Sequence, residues 1–193
     1  PNLAQVSSDK DCRELFITNP GWKLVDSDLA GIELRMFAHY PHPFDGGRYA
    51  DILLNGDIHQ ENADKIGISR RLVKTVTYAF LYGAGNIKIG MSYDPMLSKD
   101  SAAKKGKDIR KAYMDAIPGL EDLVLAVTKR VSTTNQIRAL DGRNISVDKG
   151  HKALNFLLQS SAAVIAKRWC LITNTNLVDH GIEHERYAFI HDE

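Results

Sequence analysis

The sequence predicts an α+β fold on three observations. An early apolar run, Trp22 to Val25, reads as a buried strand; helical patterns dominate the middle; and β-prone runs at 136–147 and 186–190 come late. Strand first, helices next and strands last suggests that the first strand joins the last ones in one antiparallel sheet. With 193 residues, 44% of them hydrophobic, the chain can bury a real core in one or two small domains.

Trp22-Lys23-Leu24-Val25 leads into Asp26-Ser27-Asp28, which puts carboxylates at the strand's exit. Gly31 to Tyr40 reads as helix. Pro41 to Gly56 contains two prolines and three glycines among scattered charges and reads as a connection. Asp57 then begins a helix near Ile58-His59. Ser69 is a good N-cap for a longer helix running to Tyr82, where Gly83 and Gly85 stop it. Tyr93 to Gly106 is polar and interrupted by Pro95, so a mobile loop or a domain-like boundary is expected, with Lys104-Lys105-Gly106-Lys107 solvated in it or able to touch a phosphate backbone. A helix from about Lys107 to Ala116 follows, and Pro118 opens another. Asp141-Gly142 between two short β-prone runs is a hairpin signal. Gly150 precedes a long helix from about His151 to Val178, and Arg186 to Ile190, aromatic and β-branched, reads as a final strand. No internal repeat is present.

The 25 Lys and Arg nearly cancel the 24 Asp and Glu, so net charge neither announces nor excludes nucleic acid, because a local basic groove can hide in a balanced total. Cys12 and Cys170 are far apart and lack a metal-ligand spacing, which suits free thiols in a reducing cytosol. No apolar stretch approaches a membrane span, and no signal peptide is evident, so a soluble protein is expected. The chain opens on Pro1-Asn2-Leu3 and stops at His191-Asp192-Glu193, so it reads as excised, with a further strand expected after the last one.

Two constellations carry chemistry. Asp28 and Asp192 each adjoin a strand-like run that could bring them to one sheet edge, where two carboxylates can hold two divalent ions; an Asp at a strand end also serves as a turn or cap residue. Along the central helix, Arg70, Lys74, Tyr78 and Tyr82 recur every four residues. Four residues advance a helix by about 40°, so the four share a slowly rotating stripe. Its cations suit a triphosphate and its rings suit a base, while a solvated basic edge with two core tyrosines is the plainer alternative. Asn155 and Gln159, also four apart, project together and could reach minor-groove acceptors, while a solvent-facing pair is the plainer alternative.

These residues fall into known motifs. Asp28-Leu29-Ala30-Gly31-Ile32-Glu33-Leu34-Arg35 resembles motif A of the family A (polymerase I-type) DNA polymerases, Arg70 to Gly83 resembles motif B, and His191-Asp192-Glu193 resembles motif C. Pro1-Asn2-Leu3, Gly56-Asp57-Ile58-His59, Asp141-Gly142-Arg143, Asn155 and Gln159 extend the resemblance over nearly the whole chain, and the short connections look most like polymerases of short-tailed bacteriophages. Ala30, Ala79 and the bulky Leu72-Val73 depart from the usual pattern without removing a catalytic group.

The resemblance implies a right-hand polymerase palm, an antiparallel sheet, with helical fingers, and incomplete: residues 1–40 as the first part of the palm, 41–135 as fingers, and 136–193 as the second part of the palm. It implies that Asp28 and Asp192, with the Leu29 carbonyl and nearby Glu193, hold two Mg²⁺ ions. His59, Arg70 and Lys74 would hold the triphosphate, with Lys74 a proton donor to pyrophosphate. Glu33 and Tyr82 would pair to fill the space a ribose 2′-hydroxyl needs. Tyr78 would replace the hydrogen bond lost from a missing 3′-hydroxyl, giving weak discrimination against dideoxynucleotides. Arg143, Asn155, Gln159 and His191 would lie at the primer and template.

The implied function is template-directed addition of deoxynucleotides to a primer 3′ end. The implied partners are primer-template DNA and deoxynucleoside triphosphates, in the cytoplasm of a phage host. Two rivals are a phage-type RNA polymerase, against which Glu33 and Glu193 argue, and a DNA-binding fragment without turnover. His180 and His184 invite a zinc site, but Gly181 breaks the helical face they would need.

Overall fold

A computed structural model describes residues 6, 7 and 9–190. The chain divides into two compact units, one of residues 33–161 and one formed by the residues up to 32 together with those from 162 on. Among the described residues, helix predominates, and the strands form one antiparallel pair.

In the unit of residues 33–161, α2 (Ile32–His39) leads into α3 (His42–Asp45) and α4 (Arg48–Asn55), where the sequence suggested only a connection. Gly46 and Gly47 both take positive φ, which lets one short helix reverse into the next. Asp45 fastens the joint, accepting from Gly47 N at 2.8 Å and from Tyr49 N at 2.8 Å. Prolines and glycines therefore mark a bend between helices here. Tyr49 packs edge-on against Phe37, with ring centroids 5.2 Å apart.

Next come α5 (Ile58–Ile66), which starts after Asp57 as expected, and α6 (Arg70–Leu81), with its expected Ser69 cap. Asp57 accepts from His59 N and Gln60 N, and Ser69 accepts from Leu72 N. Val73, Val76, Thr77, Phe80 and Leu81 form the buried stripe of α6. That stripe joins a core with Phe37, Tyr49, Ile89, Tyr113, Leu120 and Leu158.

The expected loop at 93–106 is largely helix. α7 (Asn86–Tyr93) is followed by α8 (Lys99–Ala116), whose Ser98 cap starts it well before Lys107. The reason lies in two glycines. A Cβ on Gly90 would stand 1.9 Å from the Ala102 carbonyl oxygen, and one on Gly106 would stand 1.8 Å from that of Asn86. α7 and α8 thus touch backbone to backbone, and the Lys104–Lys107 run belongs to a packed helix, with Lys105 Nζ 4.4 Å from the centre of the Tyr93 ring.

α9 (Leu120–Thr134) starts two residues after Pro118. β1 (Gln136–Arg138) and β2 (Asn144–Ser146) then form the predicted hairpin, with Ile137 opposite Ile145. A single 3-10 turn, Gly150–Lys152, leads into α10 (Ala153–Asp179).

The other unit includes α1 (Lys10–Arg13). It corrects the early strand: Trp22 to Val25 is irregular, with Leu24 59% and Val25 84% exposed, and Asp28 lies in irregular chain. Arg186 to Ile190 is irregular too, with Tyr187 57% exposed. Neither run has a ladder partner among the described residues, and β-prone side chains alone do not make a strand, because the pairing and packing of a sheet supply most of its stability. The expected sheet joining the first and last strands is therefore absent among the described residues.

Candidate functional site

The exposed side of α6 opposite its buried stripe carries Arg70 and Lys74, with half-buried Tyr78 one turn further on. Arg70 Nε donates to Asp57 Oδ2 at 2.6 Å. The hydrogen bond from Arg70, reinforced by Gln60 N, holds the Asp57 carboxyl below the usual carboxylate range. His59 follows on the same turn of α5. It is buried, its Nδ1 has no hydrogen-bond partner among the described residues, and its ring centroid lies 6.3 Å from that of Tyr78. Burial first, then the positive charges of Arg70 and Lys74, push the imidazole below its ordinary value, so it is neutral near pH 7.

At the other end of α6, the Tyr82 hydroxyl donates to Glu33 Oε1 at 2.6 Å. Glu33 is only 7% exposed, whereas Tyr82 is 48% exposed, so an acid on α2 is closed over by a ring whose other face meets solvent. Burial raises the Tyr78 hydroxyl above its ordinary value, and the Glu33 carboxylate raises it further.

The backbone around Tyr82 is tightly specified. Gly83, at φ 70°, ends α6, with Gly83 N donating to Phe80 O at 3.0 Å and Ala84 N to Ala79 O at 2.7 Å. These are the paired bonds of a Schellman ending, which needs the left-handed residue that glycine supplies. Asn155 Nδ2 donates to the Leu81 carbonyl at 3.1 Å, and Arg110 donates both to the Ala84 carbonyl and, at 2.8 Å, to Asn86 Oδ1. Burial lowers the pKa of Arg110, whose guanidinium also lies over the Phe80 ring.

Six predicted residues, Glu33, His59, Arg70, Lys74, Tyr78 and Tyr82, thus belong to one unit and are linked by the bonds and fields described. Asn155 is tied to the end of α6 rather than simply projecting, and Gln159 is exposed one turn later on α10. Arg143 pairs with Asp141 inside the hairpin at 2.6 Å. Asp28 is exposed, and the Leu29 carbonyl accepts from Ile32 N at 3.2 Å. His191, Asp192 and Glu193 lie outside the described residues, and no metal-holding cluster of His, Cys, Asp and Glu occurs among those that are described.

Sequence reasoning did not find Asp57 and Arg110 as partners of the site. Asp57 is legible as a helix cap, but its bond to Arg70, thirteen residues on, depends on how α5 meets α6. Arg110 sits in a run that resembles any charged helix face.

The family model for DNA polymerase family A matches residues 1–193. The chain is 34% identical, over 227 aligned positions, to the DNA-directed DNA polymerase of Enterobacteria phage T3, and equally to that of Escherichia phage T7. Both alignments cover 100% of this chain and 31% of the relative, so the chain spans about a third of the length of these curated relatives. Among solved structures, the polymerase domain of Pol1 from M. smegmatis, in complex with DNA primer-template and dNTP, superposes with a TM-score of 0.76. That match covers 100% of this chain and 37% of the other at 21% identity, a likeness of fold.

Proposed function

Since the chain belongs to DNA polymerase family A, we propose that it is the palm-and-fingers segment of a DNA-directed DNA polymerase, a nucleotidyltransferase that extends a primer 3′ end with the deoxynucleotide a template selects. The observation that carries this reading is the bond from Tyr82 to the buried Glu33, on the helix that also bears Arg70 and Lys74. A base-and-sugar end and a phosphate end then lie along one helix, as a nucleoside triphosphate requires.

Arg70 and Lys74 neutralise triphosphate oxygens, and neutral His59 offers a hydrogen bond without adding charge; positioning and charge neutralisation are the main sources of acceleration in phosphoryl transfer. Lys74 supplies the proton that the departing pyrophosphate takes up. The rings of Tyr78 and Tyr82 pack against base and sugar, and the Tyr82–Glu33 pair occupies the space that a 2′-hydroxyl would fill.

Asp28 and Asp192, with the Leu29 carbonyl and Glu193, would supply an all-oxygen donor set, the ligand chemistry that suits Mg²⁺. Asp28 is exposed, and the Leu29 carbonyl retains a second lone pair beside its bond to Ile32 N. Two such ions, when bound, acidify an attacking hydroxyl and neutralise the leaving oxygens. Arg143, Asn155, Gln159 and His191 contact primer-template DNA. Residues 1–40 and 136–193 are assigned to the palm and residues 41–135 to the fingers. No described helix is long and apolar enough to cross a membrane, and action in the host cytoplasm accords with the phage relatives.

The test is primer extension by a chimera in which this chain replaces the matching segment of the phage T7 polymerase. Deoxynucleotide addition that Asp28→Ala abolishes is the expected result. A folded chimera that binds primer-template without extending it would make the chain a DNA-binding segment, and ribonucleotide preference would make it an RNA polymerase segment.

A further inference from the structure

Both oxygens of one exposed carboxylate, Asp57, are engaged in the same small region. Oδ1 accepts from His59 N at 3.1 Å and Gln60 N at 3.0 Å, closing the first turn of α5, while Oδ2 accepts from Arg70 Nε at 2.6 Å. A single side chain thereby fixes the helix end that bears His59 and the guanidinium that begins α6. The bond to Asp57 uses only the Nε edge of Arg70, so both terminal nitrogens keep the fork that recognises phosphate. Arg70 is half exposed, and without a partner its long side chain would sample many rotamers that ligand binding must then freeze. The bond from Arg70 lowers the Asp57 pKa, which accords with a persistent interaction.

We propose that Asp57 is a positioning residue for the triphosphate site, holding Arg70 beside His59 in the orientation that receives the phosphates. The inference rests on the nucleotide reading above and adds to it a residue that does not itself touch the ligand. Simple electrostatics makes the opposite forecast, because removing a negative charge near an anion site should tighten anion binding. Asp57 is exposed enough for water to screen that repulsion, which leaves orientation as the larger effect.

The experiment is calorimetric titration of the full 193-residue chain with deoxyguanosine triphosphate and Mg²⁺. Asp57→Asn keeps a good helix cap, since Asn caps as well as Asp, but gives up the charged acceptor for Arg70. It is expected to weaken binding about fivefold, whereas Asp64→Asn, which removes the same charge elsewhere on α5, changes binding less than about twofold. In an Arg70→Ala background, Asp57→Asn should have no further effect. Equal or tighter binding by Asp57→Asn, or an undiminished loss when Arg70 is absent, overturns the inference and leaves the nucleotide site standing. An unaltered chain that binds no triphosphate overturns the nucleotide reading, and the inference falls with it.

Discussion

The hydroxyl of Tyr82 donates to the carboxylate of Glu33 at 2.6 Å, joining residues 49 apart in the chain at the end of α6. The acid is buried and the ring half exposed, so the ring shields the acid from water and presents its outer face. Three separate features hold the Tyr82 backbone in place: the Schellman ending at Gly83, the Asn155 bond to Leu81 and the Arg110 bond to Ala84.

Tyr82→Phe removes the hydroxyl that donates to the buried Glu33 carboxylate while keeping the ring. It is expected to destabilise the chain by about 1–3 kcal/mol, read as a lower urea midpoint at an unchanged slope. In the polymerase chimera, Glu33→Ala is expected on the proposed nucleotide reading to open space beside the sugar and to raise ribonucleotide incorporation at least about tenfold.

On the proposed nucleotide reading, Tyr78 governs sugar discrimination at the 3′ position. Its hydroxyl is expected to compensate for an absent 3′-hydroxyl, so the chimera should accept dideoxynucleotides readily, and Tyr78→Phe should raise discrimination at least about tenfold. Competition between deoxy- and dideoxynucleotides on one primer measures this directly, and equal penalties for the two proteins would refute the role.

Gly90→Ala tests the contact of α7 with α8. The added methyl would meet the Ala102 carbonyl at 1.9 Å, a backbone atom that no rotamer change can move. The helices must separate, at an expected cost of about 3 kcal/mol, the upper end for overpacking in a core. Chemical denaturation measures it, and Gly106→Ala should behave alike.

His59 makes stability depend on pH in a defined direction. Its folded value lies below the ordinary 6.5 because of burial, with Arg70 and Lys74 adding to the shift. Between the two values the unfolded chain binds the extra proton, so stability falls as pH drops below 6.5 and is unaffected by this group above it. Urea melts from neutral to mildly acid pH should show that slope, and His59→Gln should flatten it. Ring NMR should place the His59 titration below 6.5.

The parts of the fold that depend on local chemistry were legible in the sequence. A helix starts after Asp57, Ser69 caps the next one, Gly83 ends α6, and Asp141-Gly142 lies in the turn of a hairpin, all as expected. The Glu33–Tyr82 pair was also legible, although through family resemblance, since no periodicity connects α2 with the end of α6. What could not be read depends on partners. Gly90 and Gly106 look like helix breakers until the facing backbone is known, and then they explain a close helix crossing. Gly46 and Gly47 look like loop until Asp45 is seen to tie two short helices together. Leu24 and Val25 have the composition of a strand, but no strand pairs with them among the described residues.

The most direct test of the central claim, that α6 and its neighbours form a nucleotide site, is an NMR titration of the chain with deoxynucleoside triphosphate and Mg²⁺, with side-chain signals assigned. The account predicts shifts at Arg70, Lys74, His59, Tyr78 and Tyr82, with weaker binding of the matching ribonucleotide. Shifts confined to the lysines of α8, or none at all, would contradict it.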